Sequence, residues 1–400
     1  MRSRVREPGA LAAPGAVPLS VPNISGNEWT YVRDCLDTGW VSSAGPYVDR
    51  FERTFAEAVG VRHAVAVASG TAALHVALLV SGIEPGVEVI LPALTFIAPA
   101  NAVRYTGAWP TFVDVEEEYA QIDPVQIEAF LREDCRVSQG AVWNRRTGRR
   151  VAAILPVDLL GHPCDLDRIQ LLATEFGLAV IEDATESLGA TYRGRMVGSR
   201  GPIAIFSFNG NKLLTTGGGG LIATDDEAMA TRARYLTTQA KDDPVEFVHR
   251  SVGYNYRLSN IQAAIGCAQL EQLGPFADAK RRIARRYEEE LRGLPGITAM
   301  RQASWATSAF WMYTLLIDAV RFGSSSRDLL EALEREGIQT RPLWQPLHLS
   351  PAHQASFARP CPVAETWQRE ALSLPCSTGL TGEQQTRVID AIREQSRISH

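Results

Sequence analysis

The stretch "FSFNGNKLLTTGGGG", Phe206 to Gly220, sets one lysine, Lys212, among Ser207, Asn209 and Asn211, just before two threonines and four glycines. A lone lysine in a short loop is ordinarily a solvated charge. Three other stretches alter that reading. In "VASGTAALH" a β-rich run ends at Ala68 and a helix begins at about Thr71, so the backbone N–H groups of Gly70, Thr71 and Ala72 face outward from a first helical turn. Such a turn is an anion site, though it also reads as an ordinary N-cap by Ser69. In "LAVIEDATESLGA" an apolar run leads into Glu182 and Asp183, acids that are costly after a buried strand unless paired or hydrogen-bonded. In "LPALTFIAPANA" Phe96 stands between a strand and a helix, where a phenyl ring either joins the core or offers a flat platform to an aromatic ligand.

An amine that can form a Schiff base, a carboxylate for a pyridinium nitrogen, a ring to stack and a helix start for a phosphate are together what pyridoxal phosphate (PLP) requires. Free lysine is almost wholly protonated at neutral pH, so burial and neighbouring positive charge must favour its neutral or imine form. A carboxylate beside the ring nitrogen keeps that nitrogen protonated and lets the ring accept electrons. Asp183 is preferred to Glu182 because successive strand side chains point to opposite faces. Rival motifs fail: there is no G-x-x-x-x-G-K-[ST], the glycines follow the lysine rather than precede it, and neither G-x-S-x-G nor H-E-x-x-H occurs. His162 and Cys164 in "GHPCD" are the nearest approach to a metal-ligand pair and lack partners, so no metal is expected.

These residues need a scaffold that gathers strand ends. From about Val61 to Ala240, short β-rich runs alternate with helical ones, the sign of an α/β fold with a mostly parallel sheet. Ligands of such sheets bind at the carboxyl ends of the strands. After Tyr256 the texture changes. "SNIQ" at Ser259–Gln262 matches a capping box, and helical periodicity follows until Gly274 and Pro275. A second helix, "DAKRRIARRYEEELRGL", offers Arg285–Glu289 and Arg286–Glu290 pairs at i, i+4; then come a strand "MYTLLIDA", a helix "SRDLLEALEREG" and a strand "IQTRPL". The expected organisation is a flexible arm over residues 1–20, a large cofactor-binding α/β domain over 21–256, and a small α+β domain over 257–400.

The 400 residues carry a net charge of −5, which gives no reason to expect nucleic acid or a membrane surface as partner. Six cysteines without a C-x-x-C pair look like reduced cytoplasmic thiols. The first twenty residues are basic but broken by Pro and Gly, unlike a signal peptide. No apolar run approaches the roughly 18 residues that span a bilayer. A cytoplasmic enzyme is expected.

Six ordered motifs, "GWVSSAGPYVDRFE", "SGTAALHVAL", "LPALTFIAPANA", "IEDATESLGA", "FSFNGNK" and "GYNYRLSNIQAAIG", resemble the DegT/DnrJ/EryC1/StrS family of sugar aminotransferases, over nearly the whole chain from about Val17. The resemblance implies a fold-type I, PLP-dependent homodimer with shared active sites. By the same implication, Lys212 is the Schiff-base lysine and Asp183 pairs with the pyridine nitrogen. Gly70, Thr71 and Ser207 hold the phosphate, Phe96 stacks on the ring, and Glu186 lies near the ring hydroxyl. Family members often have glutamine at that last position. Asn255 in "GYNYR" matches an asparagine that reaches the phosphate from the neighbouring subunit. "GIQTRPLWQPLH" and "LSLPCS" look most like the subgroup that makes 4-amino-4,6-dideoxy sugars on nucleotides, including legionaminic acid pathway enzymes. The expected reaction moves an amino group from an amino acid, L-glutamate, to the ketone of a nucleotide-linked deoxysugar. A 3-keto sugar, a carbocyclic ketone, dehydration by the same fold and a non-catalytic binding or regulatory protein, which would be expected to have lost Lys212 or Asp183, are the alternatives. In the dehydratase branch histidine replaces the lysine, so Lys212 opposes that one.

Overall fold

A computed structural model describes residues 15–243 and 245–398. The apolar runs form strands with no exposed face: Glu88–Pro92 and Gly220–Thr224 are buried at every residue. Strands of that kind need cover on both sides. One half of the main sheet runs Phe357–Ala358, Trp109–Val113, Glu88–Pro92, Arg150–Ile154, parallel throughout. The other runs Glu182–Asp183, Ala204–Ser207, Gly220–Thr224, His63–Val67. The segment 179–183 joins the halves, because Ala179–Val180 pairs in parallel with Arg150–Ile154 and Glu182–Asp183 pairs in parallel with Ala204–Ser207. Among these strands, Gly220–Thr224 alone runs antiparallel to its neighbours. The mostly parallel α/β sheet expected from the sequence is present. A hairpin of Cys135–Ser138 and Ala141–Asn144, which the sequence reading does not anticipate, extends it.

Helix Gly70–Val80 packs against the strands Ala204–Ser207 and Gly220–Thr224 and is buried over most of its length. That packing fixes the position of its first turn. Downstream, Ile297–Ala299, Tyr313–Ile317 and Ala371–Leu374 make a smaller antiparallel sheet, accompanied by helices Ser326–Arg335 and Gly382–Ile398. One apolar cluster runs from Val65, Leu91 and Ile205 to Tyr313, Leu372 and Ile392, so the two sheets share a core.

Several expectations need correction. Residues 1–14 of the expected arm lie outside the described residues. Val17, also assigned to it, is buried, donates its N–H to the Gly337 carbonyl and accepts from Gln339 N–H, both at 2.9 Å. The capping box at Ser259 and Gln262 forms. Gly274 and Pro275 do not break the chain but sit in the first turn of helix Leu273–Leu291, where a proline needs no N–H. Neither i, i+4 pair is among the ion pairs of the described residues. Arg286 instead donates to the Gly382 carbonyl and Glu290 pairs with Arg393 at 2.7 Å, tying this helix to the C-terminal one. "IQTRPL" makes only isolated bridges, Ile338 to Val17 and Arg341 to Ser373, since Pro342 cannot continue a ladder.

Candidate active site

The carboxyl ends of the strands open on a cavity of about 260 Å³ lined by Gly70, Thr71, Phe96, Asp183, Glu186, Ser207 and Lys212. Its floor depends on two glycines. A Cβ on Gly70 would stand 2.7 Å from Ser207 Cβ, and one on Gly220 would stand 2.4 Å from the Ser69 carbonyl oxygen. The Ser69–Gly70 turn therefore lies against the strands at a distance that other residues do not permit. Ser207, last in its strand, meets the first turn of the helix, where the N–H groups of Gly70 and Thr71 have no intrahelical acceptor. Ala72 is different. Its N–H donates to Ser69 Oγ at 3.1 Å, so the expected three free donors become two, the third being taken by the N-cap.

Asp183 ends the strand segment Glu182–Asp183 and is buried in the cavity wall. Its carboxylate accepts the Thr185 N–H at 3.1 Å. Burial raises its pKa to about 7, against the lowering pull of that contact and of Lys212. Glu182 is turned away from the cavity, with Oε1 accepting the Gly198 N–H at 2.9 Å and Oε2 without a hydrogen-bond partner among the described residues. Burial, and then the neighbouring Asp158, push its pKa well up.

Lys212 Nζ donates to Glu186 Oε1 at 3.3 Å. The other oxygen of Glu186 accepts the N–H of Leu160 at 2.8 Å, and Leu160 takes a left-handed φ of +58°. The glutamate is thus gripped from both ends, one oxygen by backbone and one by the amine. Burial raises its pKa, opposed first by Lys212.

Phe96 remains 52% exposed at the cavity mouth, its ring 6.2 Å from that of Trp344 and inclined at 63°. It is not a core residue. Trp311 and Trp344 line the cavity from the C-terminal part of the chain; sequence reasoning missed Trp311, and quoted Trp344 only within "RPLWQPLH". Their only sequence signal is a tryptophan beside a predicted strand. Asn255 is exposed and does not line this cavity, although Thr238 pairs with it in an isolated bridge. His162 is buried, with Nδ1 2.8 Å from the Pro163 carbonyl and Nε2 3.0 Å from Ala303 N. Burial lowers its pKa to about 4.

Residues 22–393 match the DegT/DnrJ/EryC1/StrS aminotransferase family. The chain belongs to that family. It is 41% identical to GDP-perosamine synthase of Caulobacter vibrioides, over 94% of this chain and 97% of the relative. It is 38% identical to GDP-perosamine synthase of Escherichia coli O157:H7, over 94% and 98%. Among solved structures, DesV of S. venezuelae, in complex with a ketimine intermediate, superposes with a TM-score of 0.83 at 35% identity, covering 92% of this chain and 94% of that one. DesI, in the presence of its TDP-sugar product, gives 0.86 at 30% identity, covering 97% and 95%. As a DegT-family aminotransferase the chain is a PLP-dependent sugar aminotransferase of fold type I.

The residues of this cavity fit that cofactor. Asp183 is a buried carboxylate with no cation in salt-bridge contact among the described residues, a costly state that a protonated ring nitrogen would relieve. Two helix-start N–H groups and a serine hydroxyl suit a phosphate, and the lysine amine shares the same space.

Proposed function

We propose that the chain transfers an amino group from L-glutamate to C4 of a nucleotide-linked 4-keto-6-deoxy sugar. The observation that carries the reading is the meeting of Lys212, Asp183 and the Gly70–Thr71 helix start in one cavity. The perosamine synthases among its relatives support the nucleotide sugar and the 4-amino product.

In this reading the backbone of Gly70 and Thr71 and the hydroxyl of Ser207 hold the phosphate, and Phe96 covers one face of the ring. Asp183 accepts the ring N–H and keeps that nitrogen positive. When bound, PLP supplies an electron sink for the pair released when the donor's Cα–H bond breaks. Lys212 would carry the cofactor and, once displaced by the donor amine, would be the free base positioned to move a proton between the donor's Cα and the cofactor carbon on the other side of the amine nitrogen. Glu186, braced by the Leu160 N–H, holds the amine toward the cavity and would stand near the ring hydroxyl of the bound cofactor.

Asn255 serves the cavity of a second copy, so active sites are shared across a homodimer; its exposure away from its own cavity supports this. Six unpaired cysteines support a reducing compartment, the cytoplasm. Mass spectrometry of products from a panel of GDP-, UDP- and TDP-linked 4-keto and 3-keto sugars, with glutamate and other amino acids as donors, tests the reading. A 4-amino product formed with glutamate is expected. Amination of a 3-keto sugar alone, or none with glutamate, would overturn it.

A further inference from the structure

Lys212 is also held from a side that neither the cofactor nor the carboxylates account for. Its Nζ lies 3.9 Å from the centroid of the Trp311 ring. The same indole donates its Nε1–H to the carbonyl of Asn211, the residue before the lysine, at 2.7 Å. One side chain thus meets both the amine and the backbone that carries it.

Trp311 is itself fixed. Its carbonyl accepts from Lys280 Nζ at 2.7 Å, and Lys280 is a buried lysine, 3% exposed, whose Nζ also meets Cys376 Sγ at 3.5 Å. A buried lysine without a carboxylate is costly, so the carbonyl it meets is a strong anchor joining Trp311 to helix Leu273–Leu291. Trp344 lies parallel to Trp311, at 7° and 6.5 Å between ring centroids.

We propose that Trp311 is a positioning residue for Lys212: its indole face holds the ammonium inside the cavity while its Nε1–H fixes the loop. The proposal deepens the reading of Lys212 as the cofactor lysine and rests on it. An aromatic face attracts a cation and so favours the protonated amine. The charged groups facing Lys212 from other elements are Glu186, which acts in the same direction, and Asp183 across the cavity. Trp311 adds an uncharged seat for the amine whenever it carries a proton, while the Nε1–H bond to the Asn211 carbonyl holds the loop in either protonation state.

The test uses the full-length chain freed of cofactor with hydroxylamine and dialysis. Trace acetylation of Lys212, read by peptide mass spectrometry from about pH 6 to 11, gives the titration midpoint of the amine. Trp311→Leu should lower that midpoint by roughly half a pH unit or more, and Trp311→Phe by less, since phenyl is the weaker cation platform. Site-specific fluorination of the Trp311 ring withdraws charge from its face while keeping its shape, so an unstable leucine variant does not end the test. The midpoint should fall stepwise with the number of fluorines. A midpoint unmoved by fluorination overturns the proposal. Borohydride reduction of the wild-type holoenzyme, followed by peptide mapping, tests the underlying reading separately. A pyridoxyl group on another lysine sinks that reading and leaves the titration result standing, which distinguishes the two failures.

Discussion

Glu182 and Asp183 adjoin in the chain and part in space. Asp183 lines the cavity with Lys212, while Glu182 turns to the opposite side of the sheet and accepts the Gly198 N–H at 2.9 Å. The alternation of a strand makes this separation, and it leaves one acid facing the cavity.

Asp183→Asn therefore has two effects of opposite sign. Without cofactor, the native carboxyl titrates at about 7, whereas an unfolded aspartate does so at about 3.9. The native state holds the extra proton between those values, so this group's contribution to stability falls as pH rises from about 4 to about 7 and is level above. Thermal unfolding of the cofactor-free variant should show it more stable than wild type at about pH 8, by a few kcal/mol at most, with the gap narrowing toward about pH 5. In the holoenzyme the same change would remove the proposed partner of the ring nitrogen. A hydrogen bond to a charged group contributes roughly 1.5 to 3 kcal/mol, so kcat should fall about 10- to 150-fold. Turnover within about twofold of wild type would reassign the role to another acid.

Lys212 is the residue that borohydride should mark. The purified protein should be yellow, and reduction should leave a pyridoxyl group on the peptide containing Lys212, because its amine opens into the cavity with a side chain only 15% exposed. Lys212→Ala should still bind the cofactor through the phosphate and Asp183 contacts while losing turnover. Equilibrium dialysis and a glutamate half-reaction assay separate the two.

Gly70→Ala should weaken cofactor binding more than it weakens folding. The new methyl would stand 2.7 Å from Ser207 Cβ and 3.0 Å from its hydroxyl, so the phosphate donors must move apart. Overpacking of this kind costs about 1 to 3 kcal/mol. Titration of the apoprotein with PLP should show a raised Kd. An unchanged Kd would mean that the turn yields without moving its donors.

A heterodimer of Lys212→Ala and Asn255→Ala chains should regain activity if Asn255 serves the neighbour's cavity. Both defects then fall in one site and the other is intact. Refolding the two variants together makes about half the dimers heterodimers, each with one good site, so the mixture should recover about a quarter of wild-type activity. Each variant refolded alone supplies the background. Activity no greater than the mean of the two would mean that Asn255 serves its own chain or that the enzyme is not built as this dimer.

Much of the site is legible in sequence because each part sits at a strand end, and strand ends are marked where an apolar run meets polar residues. Gly70, Asp183 and Lys212 are found that way, whereas Ser207 comes to the phosphate through the family resemblance. Ala72 is misjudged because the sequence fits both a free donor and a capped one, and the orientation of Ser69 Oγ decides between them. The ion pairs expected along the second helix fail for a related reason. Periodicity places Arg286 four residues from Glu290, but packing brings the C-terminal helix close enough to take both partners.

The sequence by itself determined the alternating α/β order, the strand ends, the separation of Glu182 from Asp183 and the placing of Lys212 in the loop that follows one of those ends. These follow from local rules, the two-residue period of a strand and the free donors of a helix start, which need no knowledge of distant residues. Only the tertiary structure decided that Trp311 lies against Lys212, that Leu160 braces Glu186, and that Lys280 holds the tryptophan from behind. Those contacts join segments 26 to 100 residues apart, and no local period encodes them. They arise because a shared core fixes the two sheets against each other and brings the cavity walls to within hydrogen-bonding reach.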